Sequence, residues 1–552
     1  MDNSGAEDLI PVDIWTTPIE IEDVEQEVKA QIGYNKADIT APYDREDFDV
    51  EIVGEYSAEQ VDAYIAAERT IYVERQLNAT EQFLNSCANI TNLQTARNTE
   101  NIFISKFAPL VRVELTKQEI EIISNNEFVE VLYYSPPVEM IAESDISFPL
   151  TNANYARDTM GLNGNGIKIG MIEPSEPDRT NPYFTLANIY YDTSKSRNHD
   201  THADNVAAII VAKSYGGFKG IVPNAKLYSA YYDGVADWRV SVEWLISQNV
   251  NVINMSAGGT ETPSYSSREQ WTDHIAINHN VHFVKSAGNN SGGGGTGTGY
   301  ITSPGMAYNI ITVGNINDHN TPSQTDDDLY SESSYVHSST LPNKPDLVAP
   351  GRNIVTAAGN STGTSFATPH VTGIVAQLCQ KTPALKILQH TVKSILTAGI
   401  SHQYLSFNTN STGTNFGKMG AGCVDAKGAY NVTHNDFFVS SSFSAASANG
   451  SALNYTISTF SGRPTRRVSL SWLKYSSLPA YAGTATIVHT SADLDLQVFD
   501  KYNNPVAAAV SVYNNTEIVE FTHSASLTPY RIEIKLYSKP DSGGVSFAVS
   551  WY

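Results

Sequence analysis

Two segments carry a hydroxyl and an imidazole at the starts of predicted helices. Ser365 lies in GTSFATPH, and the apolar run after it predicts a helix, in which Pro369 is tolerable only within the first turn. Unpaired N–H groups at a helix N-terminus favour developing negative charge, although a plain N-cap serine is the commoner use. His199 lies in HDTHADNVAAII and has the side chain best suited to general-base chemistry near neutral pH. Alone, such a histidine is more often a surface residue.

Two further segments carry an acid and an amide directly after apolar strands. Glu173 follows GIKIGMI (166–172), where a carboxylate could orient an imidazole, although Glu176 and Asp178 nearby are ordinary loop acids. Asn289 follows VHFVKSAG, where its side-chain amide could donate to an oxyanion. These four residue types together are those of nucleophilic attack on a carbonyl group.

The elements that must position these side chains alternate in type. The apolar runs GIKIGMI, AKLYSAYY, VNVINMS and VHFVKSAG predict strands, with helical stretches such as VEWLISQNV between them. Such alternation predicts a three-layer α/β domain with a mostly parallel sheet. Ligand sites in such sheets lie outside the carboxyl ends of the strands, where Glu173 and Asn289 are expected.

Smaller units flank this domain. Upstream, a helical stretch (57–97) is followed by strand-like IFISKF and LVRVEL, a helix with a capping box from Thr116 to Glu119, and strand-like FVEVLYY. After about residue 435, five short alternating runs predict an antiparallel β-sandwich. The predicted divisions are an acidic N-terminal segment (1–45), a small α+β domain (46–140), the α/β domain (150–435) and the sandwich (436–552).

Composition excludes several classes of protein. The 552 residues carry a net charge of −23, so a nucleic-acid partner is not expected, and no apolar run reaches the length of a membrane span. Residues 1–60 hold 17 acidic and three basic residues, which predicts a solvated tail or, with less weight, a docking segment. The three cysteines form no CxxC pair and are expected to be buried apolar residues.

The four chemical segments together resemble the subtilisin-like serine peptidases. The family order is acid, histidine, asparagine, serine, and GTSFATPHVTG is close to the family's serine motif. The stretches VINMSAGG (252–259), KPDLVAPG (344–351) and GAGCVDAKGAY (420–430) also match. The resemblance covers about residues 160–435.

The resemblance assigns a role to each side chain. Ser365 would be the nucleophile, His199 the general base, His202 a structural residue, Glu173 the orienting acid and Asn289 the oxyanion donor. The walls of the peptide cleft would be formed by two tripeptides, Ser256, Ala257 and Gly258, and Ser286, Ala287 and Gly288. The implied activity is endopeptidase hydrolysis through an acyl-enzyme.

Three departures from the family keep an alternative open. Glu173 stands where the family has Asp, Pro174 and Ser175 follow it instead of Thr-Gly, and Asp200 stands where Gly is expected. These changes suit a weak or silent pseudoprotease that binds extended peptides or regulates a partner. A third interpretation, chance similarity, is disfavoured by the number and order of the matches.

The resemblance extends to a propeptide. Residues 100–134 resemble the family's propeptide inhibitor, so self-cleavage is expected within 135–150, and the partners are peptide or protein substrates and the chain's own propeptide. No cofactor is required, but structural calcium is conceivable in the Gly-rich run 292–305 or at Asp493 and Asp495. MDNSGAEDLI shows no signal peptide, so an extracellular or cell-surface location presumes a removed signal, and a cytoplasmic one is the alternative.

Overall fold

The structure is a computed structural model. It describes residues 9–552 apart from 41–55, 100, 135–140, 143–149, 195–197, 216–217, 233–236, 260–264, 291–300, 320, 322–326, 337–340, 357, 401–417, 458–464, 475–491 and 540–543. Residues 292–300 of the predicted calcium loop (292–305) and most of the predicted self-cleavage segment lie outside these described residues.

The N-terminal domain is a four-stranded antiparallel sheet covered by helices. Its sheet has the order β2-β3-β1-β4. The strands are β1 (Ile10–Thr16), β2 (Phe103–Ile104), β3 (Leu110–Leu115) and β4 (Val129–Tyr134), and the helices are α1 (Ile21–Ile32), α2 (Lys36–Thr40), α3 (Ala58–Ser86), α4 (Thr91–Asn98) and α5 (Lys117–Ile123). The capping box predicted at Thr116 and Glu119 is present at the start of α5.

The acidic N-terminal segment differs from its prediction. Strand β1 is not solvated but pairs with both β3 and β4 in the middle of the sheet. Its apolar side chains alternate into the domain core through Val12 and Ile14, and Trp15 packs against the next domain. The prediction of a solvated tail follows from the many acidic residues before and after IPVDIWT. The strand itself is a single short apolar run among them.

The central domain has three layers, as predicted. Eight strands of the described chain form a sheet of order β13-β12-β11-β9-β6-β8-β7, with β14 beside β12, and all pairings except β12–β13 are parallel. The strands are β6 (Lys168–Glu173), β7 (Asn188–Tyr191), β8 (Lys226–Tyr231), β9 (Val252–Met255), β11 (His282–Ser286), β12 (Ile311–Asn317), β13 (Asp328–Leu329) and β14 (Leu347–Pro350).

Helices cover both faces of this sheet. One apolar cluster joins the sheet to α6 (Thr201–Val211) and α9 (Thr364–Lys381) through residues such as Val206 and Val371. A second cluster joins the opposite face to α7 (Trp238–Ser247) and α8 (Ser267–Asn278), and it includes Trp15 and Phe107 of the N-terminal domain. The N-terminal domain therefore packs on α7 and α8.

Short elements complete the central domain. A hairpin of β15 (Arg352–Thr356) and β16 (Gly359–Thr362) leads into α9, and helices α10 (Gln389–Ala398) and α11 (Ala426–His434) follow. Two-residue strand β10 (Ala257–Gly258) pairs antiparallel with β5 (Ile141–Ala142). Strand β5 belongs to the connection between the N-terminal and central domains.

The C-terminal region forms two four-stranded antiparallel sheets around one apolar core, as predicted. The sheet orders are β17-β24-β19-β22 and β18-β23-β20-β21. The strands are β17 (Phe438–Phe443), β18 (Ala452–Ile457), β19 (Thr465–Trp472), β20 (Asp493–Phe499), β21 (Pro505–Ala509), β22 (Thr516–Thr522), β23 (Tyr530–Ser538) and β24 (Val545–Trp551). Helix α10 packs on the first sheet, where Ser394 donates to the carbonyl of Ser469.

Candidate active site

The chemical side chains collect at the carboxyl edge of the parallel sheet. Glu173 is the last residue of β6, Ser256 follows β9, and Ser286 is the last residue of β11. Strands β9 and β6 are neighbours, as are β11 and β9, so their ends lie side by side. This edge is where the sequence predicts the site.

Ser365 is held at the start of α9 by two reciprocal hydrogen bonds with Ser256. The Ser365 hydroxyl donates to the Ser256 carbonyl over 2.9 Å, and the Ser256 hydroxyl donates to the Ser365 carbonyl over 2.7 Å. Both residues are fully buried. The candidate nucleophile is therefore fixed against the strand expected to bind the peptide.

Pro369 explains why the Ser365 carbonyl needs an outside donor. In a helix this carbonyl would accept from the N–H of the residue four positions later, which is Pro369 and has none. The proline lies inside α9, beyond the first turn to which the sequence interpretation confined it. The Ser256 hydroxyl replaces the missing donor, so the proline is the reason that the Ser365 backbone is bonded to the segment after β9.

The histidine beside the acid is His202 and not His199. The Nδ1 atom of His202 lies 3.0 Å from Oε2 of Glu173, which is ion-pair distance, but the two atoms do not form a hydrogen bond. Glu173 is fully buried and the His202 side chain is 8% exposed. The His202 ring meets the Phe366 ring edge-on, with centroids 5.0 Å apart, directly beside Ser365.

His199 lies outside this arrangement. It is exposed, and its Nδ1 atom contacts the backbone carbonyl of Glu176 at 3.2 Å. The structure therefore places Glu173 beside His202, whereas the sequence predicts a contact of Glu173 with His199. The added methylene of Glu173 reaches an imidazole one helical turn further along the chain.

Asp200 is the physical reason for this difference. Its side chain accepts from the backbone N–H groups of His202 and Ala203, which makes it the N-cap of α6. His199 consequently precedes the helix, while His202 lies in its first turn. Asp is a favoured N-cap residue, so this signal was available in the sequence.

The loop acids around His199 belong to local turns. Burial raises the pKa of Asp204, whose carboxylate accepts from the Asp178 backbone and the Asn181 amide. Hydrogen bonds from Thr180 lower the pKa of Asp178. These contacts fix the loop that precedes α6.

Asn289 is oriented by Thr364, the residue before Ser365. Its side-chain oxygen accepts from the backbone N–H of Thr364 over 2.8 Å and from the Thr364 hydroxyl over 3.1 Å. The amide oxygen is therefore occupied, and the amide nitrogen remains as a donor. The neighbouring Gly288 also bonds Thr364, through its backbone N–H.

The two predicted cleft segments frame the site. Ser256, Ala257 and Gly258 are buried, as are Ser286, Ala287 and Gly288. The described backbone of β5 occupies the first of these segments, with Ala257 opposite Ala142 and Gly258 opposite Ile141. An extended chain therefore lies on 257–258 by strand addition.

Two further residues, Lys285 and Thr302, lie between these segments, and no motif in the sequence marks them. Lys285 is fully buried, and its ammonium donates to the carbonyl and hydroxyl of Ser286 and to the Thr302 hydroxyl. A Cβ added to Gly258 would lie 2.4 Å from Thr302 Oγ1 and 2.8 Å from Lys285 Nζ. The only signal in the sequence was a lysine within the apolar strand VHFVKS.

No metal centre is apparent in the part of the chain that the structure describes. Within those residues, no group of three or more His, Cys, Asp or Glu side chains is placed to hold an ion. Asp493 and Asp495 are buried on β20, and burial raises the pKa of both, to about 6 for Asp493. Subtilases in general act without a cofactor, and calcium sites are common among them; for this chain calcium stays a prediction.

A serine beside a cleft strand, an imidazole facing a buried carboxylate and an oriented amide on a parallel sheet are the groups of a serine peptidase. A model of the subtilase family, Peptidase_S8, matches residues 113–422. The chain belongs to this family and is a subtilisin-like serine endopeptidase. The match begins in β3 of the N-terminal domain and ends before α11.

Two known proteases and one solved structure are similar to parts of this chain. An alkaline protease of Alkalihalobacillus alcalophilus is 26% identical over 322 residues, which are 55% of this chain and 78% of that protein. Subtilisin NAT of Bacillus subtilis subsp. natto is 29% identical over 245 residues, or 41% and 59% of the two chains. A solved structure, the self-cleaved protease domain of PatA, matches half of this chain with 20% identity and a TM-score of 0.38.

No helix among the described residues is both long and apolar enough to cross a membrane. The three cysteines are buried free thiols, as the sequence predicts.

Proposed function

We propose that Ser365, His202 and Glu173 form the catalytic triad of this endopeptidase and that Asn289 donates to the oxyanion. The main support is that the His202 imidazole lies against the buried Glu173 carboxylate. The same imidazole packs on Phe366, in the helix that starts with Thr364 and Ser365. In this proposal His202 takes the place of His199 as the general base, because His202 is the histidine that lies against the buried Glu173 carboxylate.

The proposed reaction begins with a peptide laid antiparallel on 257–258. The Ser365 hydroxyl leaves its bond to the Ser256 carbonyl, gives its proton to Nε2 of His202 and attacks the substrate carbonyl. Glu173 holds Nδ1 of the imidazole and stabilises its positive charge. The Asn289 amide nitrogen donates to the oxyanion, a contribution of roughly 10²–10³ in turnover.

We also propose that the N-terminal domain is the chain's own propeptide. Two observations support this: β5, which follows this domain in sequence, lies on the cleft strand, and the domain packs on α7 and α8. The connection between residues 135 and 150 is then the segment that the enzyme cuts. We further propose that the protein is extracellular or bound at the cell surface, with a cytoplasmic location as the alternative.

A fluorophosphonate probe tests the function most simply, because it forms a covalent bond only with an activated serine. Matured wild-type protein is expected to be labelled at Ser365, and Ser365→Ala is expected to lose the label. Matured wild-type protein that takes no label would favour the silent peptide-binding alternative.

A further inference from the structure

We propose that Asn309 is a positioning residue for substrate binding, through which the C-terminal sandwich holds the segment that sets the distance between the two predicted cleft segments. This role rests on the proposed function, which makes 256–258 and 286–288 the walls of the peptide cleft. Residues 301–310 connect these walls to the sandwich, and we call them the bridge segment.

The backbone at the start of the bridge segment is hydrogen-bonded on both sides of the cleft. The N–H of Thr302 donates to the carbonyl of Ala287 over 2.9 Å. The N–H of Gly259, directly after the other wall, donates to the carbonyl of Ser303 over 3.0 Å. A displacement of residues 302–303 would therefore pull on both walls.

The Thr302 side chain fills the space between the walls. A Cβ placed on Gly258 would overlap this side chain, and a Cβ placed on Gly288 would lie 3.0 Å from Thr302 Cγ2. Because close-packed atoms transmit small shifts, the spacing of the walls follows the position of Thr302.

A tight turn connects Thr302 to the rest of the bridge segment. The N–H of Gly305 donates to the Thr302 carbonyl over 2.8 Å, and the Thr312 hydroxyl on β12 donates to the Gly305 carbonyl over 2.6 Å. A Cβ on Gly305 would lie 2.8 Å from the Thr302 carbonyl oxygen, so the turn is closely packed. The position of Thr302 thus depends on how the far end of the segment is held.

Asn309 holds that far end against the sandwich. Its side-chain nitrogen donates to the Lys474 carbonyl over 2.8 Å, and its side-chain oxygen accepts from the Lys474 backbone N–H over 2.9 Å. The same nitrogen donates to the Asp273 carboxylate on α8 over 3.0 Å. All three residues are buried. One side chain therefore joins the bridge segment to α8 and to the sandwich.

Two buried lysines add contacts at the same end. Lys393 on α10 donates to the carbonyls of Tyr308 and Ile310, over 3.0 and 3.1 Å, and to the side-chain oxygen of Asn515 over 3.4 Å. The Lys474 ammonium lies 4.8 Å from the centroid of the Tyr308 ring. The sandwich therefore contacts the bridge segment directly through Lys474 and, by way of Lys393, through Asn515.

Kinetics with dye-labelled casein separate positioning of the cleft from general support of folding. The protein is expressed as the full chain and allowed to process itself. Asn309→Ala is expected to raise KM about fivefold to twentyfold and to change kcat less than about threefold, because it alters the walls that bind the peptide and leaves the triad intact.

Ser394→Ala is the matched control for a weakened contact with the sandwich. The Ser394 hydroxyl bonds the Ser469 carbonyl and the Ser550 hydroxyl, each over 2.8 Å, and neither bond involves the bridge segment. KM is expected to stay within about twofold of the wild-type value, since distant sites act independently. Equal KM values for Asn309→Ala and Ser394→Ala would overturn the proposal.

Amide hydrogen exchange in the full-length Ser365→Ala protein tests the same proposal without any need for activity. Adding Asn309→Ala is expected to speed exchange in 257–259 and 301–305 by about tenfold, whereas adding Ser394→Ala leaves these stretches unchanged. Exchange that rises evenly over the peptidase domain, or that does not rise in these stretches, would overturn the proposal.

Two further measurements keep these tests decisive. If Asn309→Ala does not fold, Asn309→Gln takes its place, because it keeps a buried amide and displaces the bridge segment by one methylene, with the same direction of change expected. Wild-type protein that takes no fluorophosphonate label at Ser365 would instead sink the proposed function, whatever the exchange rates are.

Discussion

At the scale of single residues, the general base that we propose depends on where one helix begins. His199 and His202 are three positions apart, and both precede apolar residues typical of a helix. The side chain of Asp200 caps α6, so only His202 lies in the helix and faces Glu173. Glu173 stands where the family has Asp, and it contacts His202 rather than His199.

Glu173 is expected to act through the orientation and charge of the imidazole. Glu173→Gln keeps the side chain's length but removes its charge, so kcat is expected to fall by about 10³–10⁴ with a smaller change in KM. Asp178→Asn, which alters a loop acid of the same region, serves as the control and is expected to keep kcat within about threefold. Similar kcat values for wild type and Glu173→Gln would exclude the proposed role.

At the scale of elements, one proline couples helix α9 to the cleft. Pro369 leaves the Ser365 carbonyl without a helical donor, and the Ser256 hydroxyl takes that place. A buried carbonyl without a partner is costly, so the side chain of Ser256 has a stabilising role as well as a place in the cleft.

This coupling predicts a specific rescue. In the Ser365→Ala background, which prevents self-digestion, Ser256→Ala is expected to lower the free energy of unfolding by about 1–3 kcal/mol. Adding Pro369→Ala restores a backbone N–H within α9, and we expect it to recover much of that loss. Urea denaturation measures all three proteins. Additive losses in the double substitution would contradict the coupling.

The sequence predicts the elements that are stabilised by contacts between neighbouring residues. It does not predict features that depend on partners far away in the chain. The parallel strands, the capping box at Thr116 and the C-terminal strands follow from local periodicity and turn residues. Strand β1 was missed because its pairing partners are about a hundred residues away, and Lys285 was missed because its role depends on Thr302 and Gly258 from other segments. Long-range partners are invisible to local patterns.

At the scale of the whole molecule, buried hydrogen bonds connect the N-terminal domain to the peptidase domain. The carboxylate of Asp13 on β1 accepts two hydrogen bonds from the Arg239 guanidinium on α7, at 3.1 Å each, and both residues are buried. Arg69 on α3 donates to the carbonyls of Ile246, Val250 and His279. Such an interface depends on its complete set of partners.

Glu243 makes this interface sensitive to pH. Burial raises the pKa of its carboxyl from 4.5 to about 7, although Ser105 and the Lys106 backbone donate to it. A raised acid pKa means that the folded chain holds a proton that the unfolded chain has lost. The stabilising contribution is therefore present below about pH 4.5 and is lost as pH rises through about 7. The depressed histidine pKa values in the same interface, about 4 for His274, act in the opposite direction.

Comparison with the uncharged variant Glu243→Gln isolates the effect of the Glu243 carboxyl on stability. Glu243→Gln in the full-length Ser365→Ala protein is expected to raise the melting temperature relative to its parent by on the order of 5 °C more at pH 8 than at pH 5. The histidine contributions are common to both proteins and cancel. A melting-temperature difference that does not vary between these pH values would argue against a proton on Glu243 in the assembled chain.

The proposed mechanism depends on which imidazole receives the proton of Ser365. Self-cleavage of the full-length protein measures this directly, and the chain provides a matched pair of variants. His202→Gln is expected to remain intact under conditions in which wild type and His199→Gln are both processed, a difference of about 10⁴ or more in rate. An intact His199→Gln protein beside normal processing of His202→Gln would contradict the account.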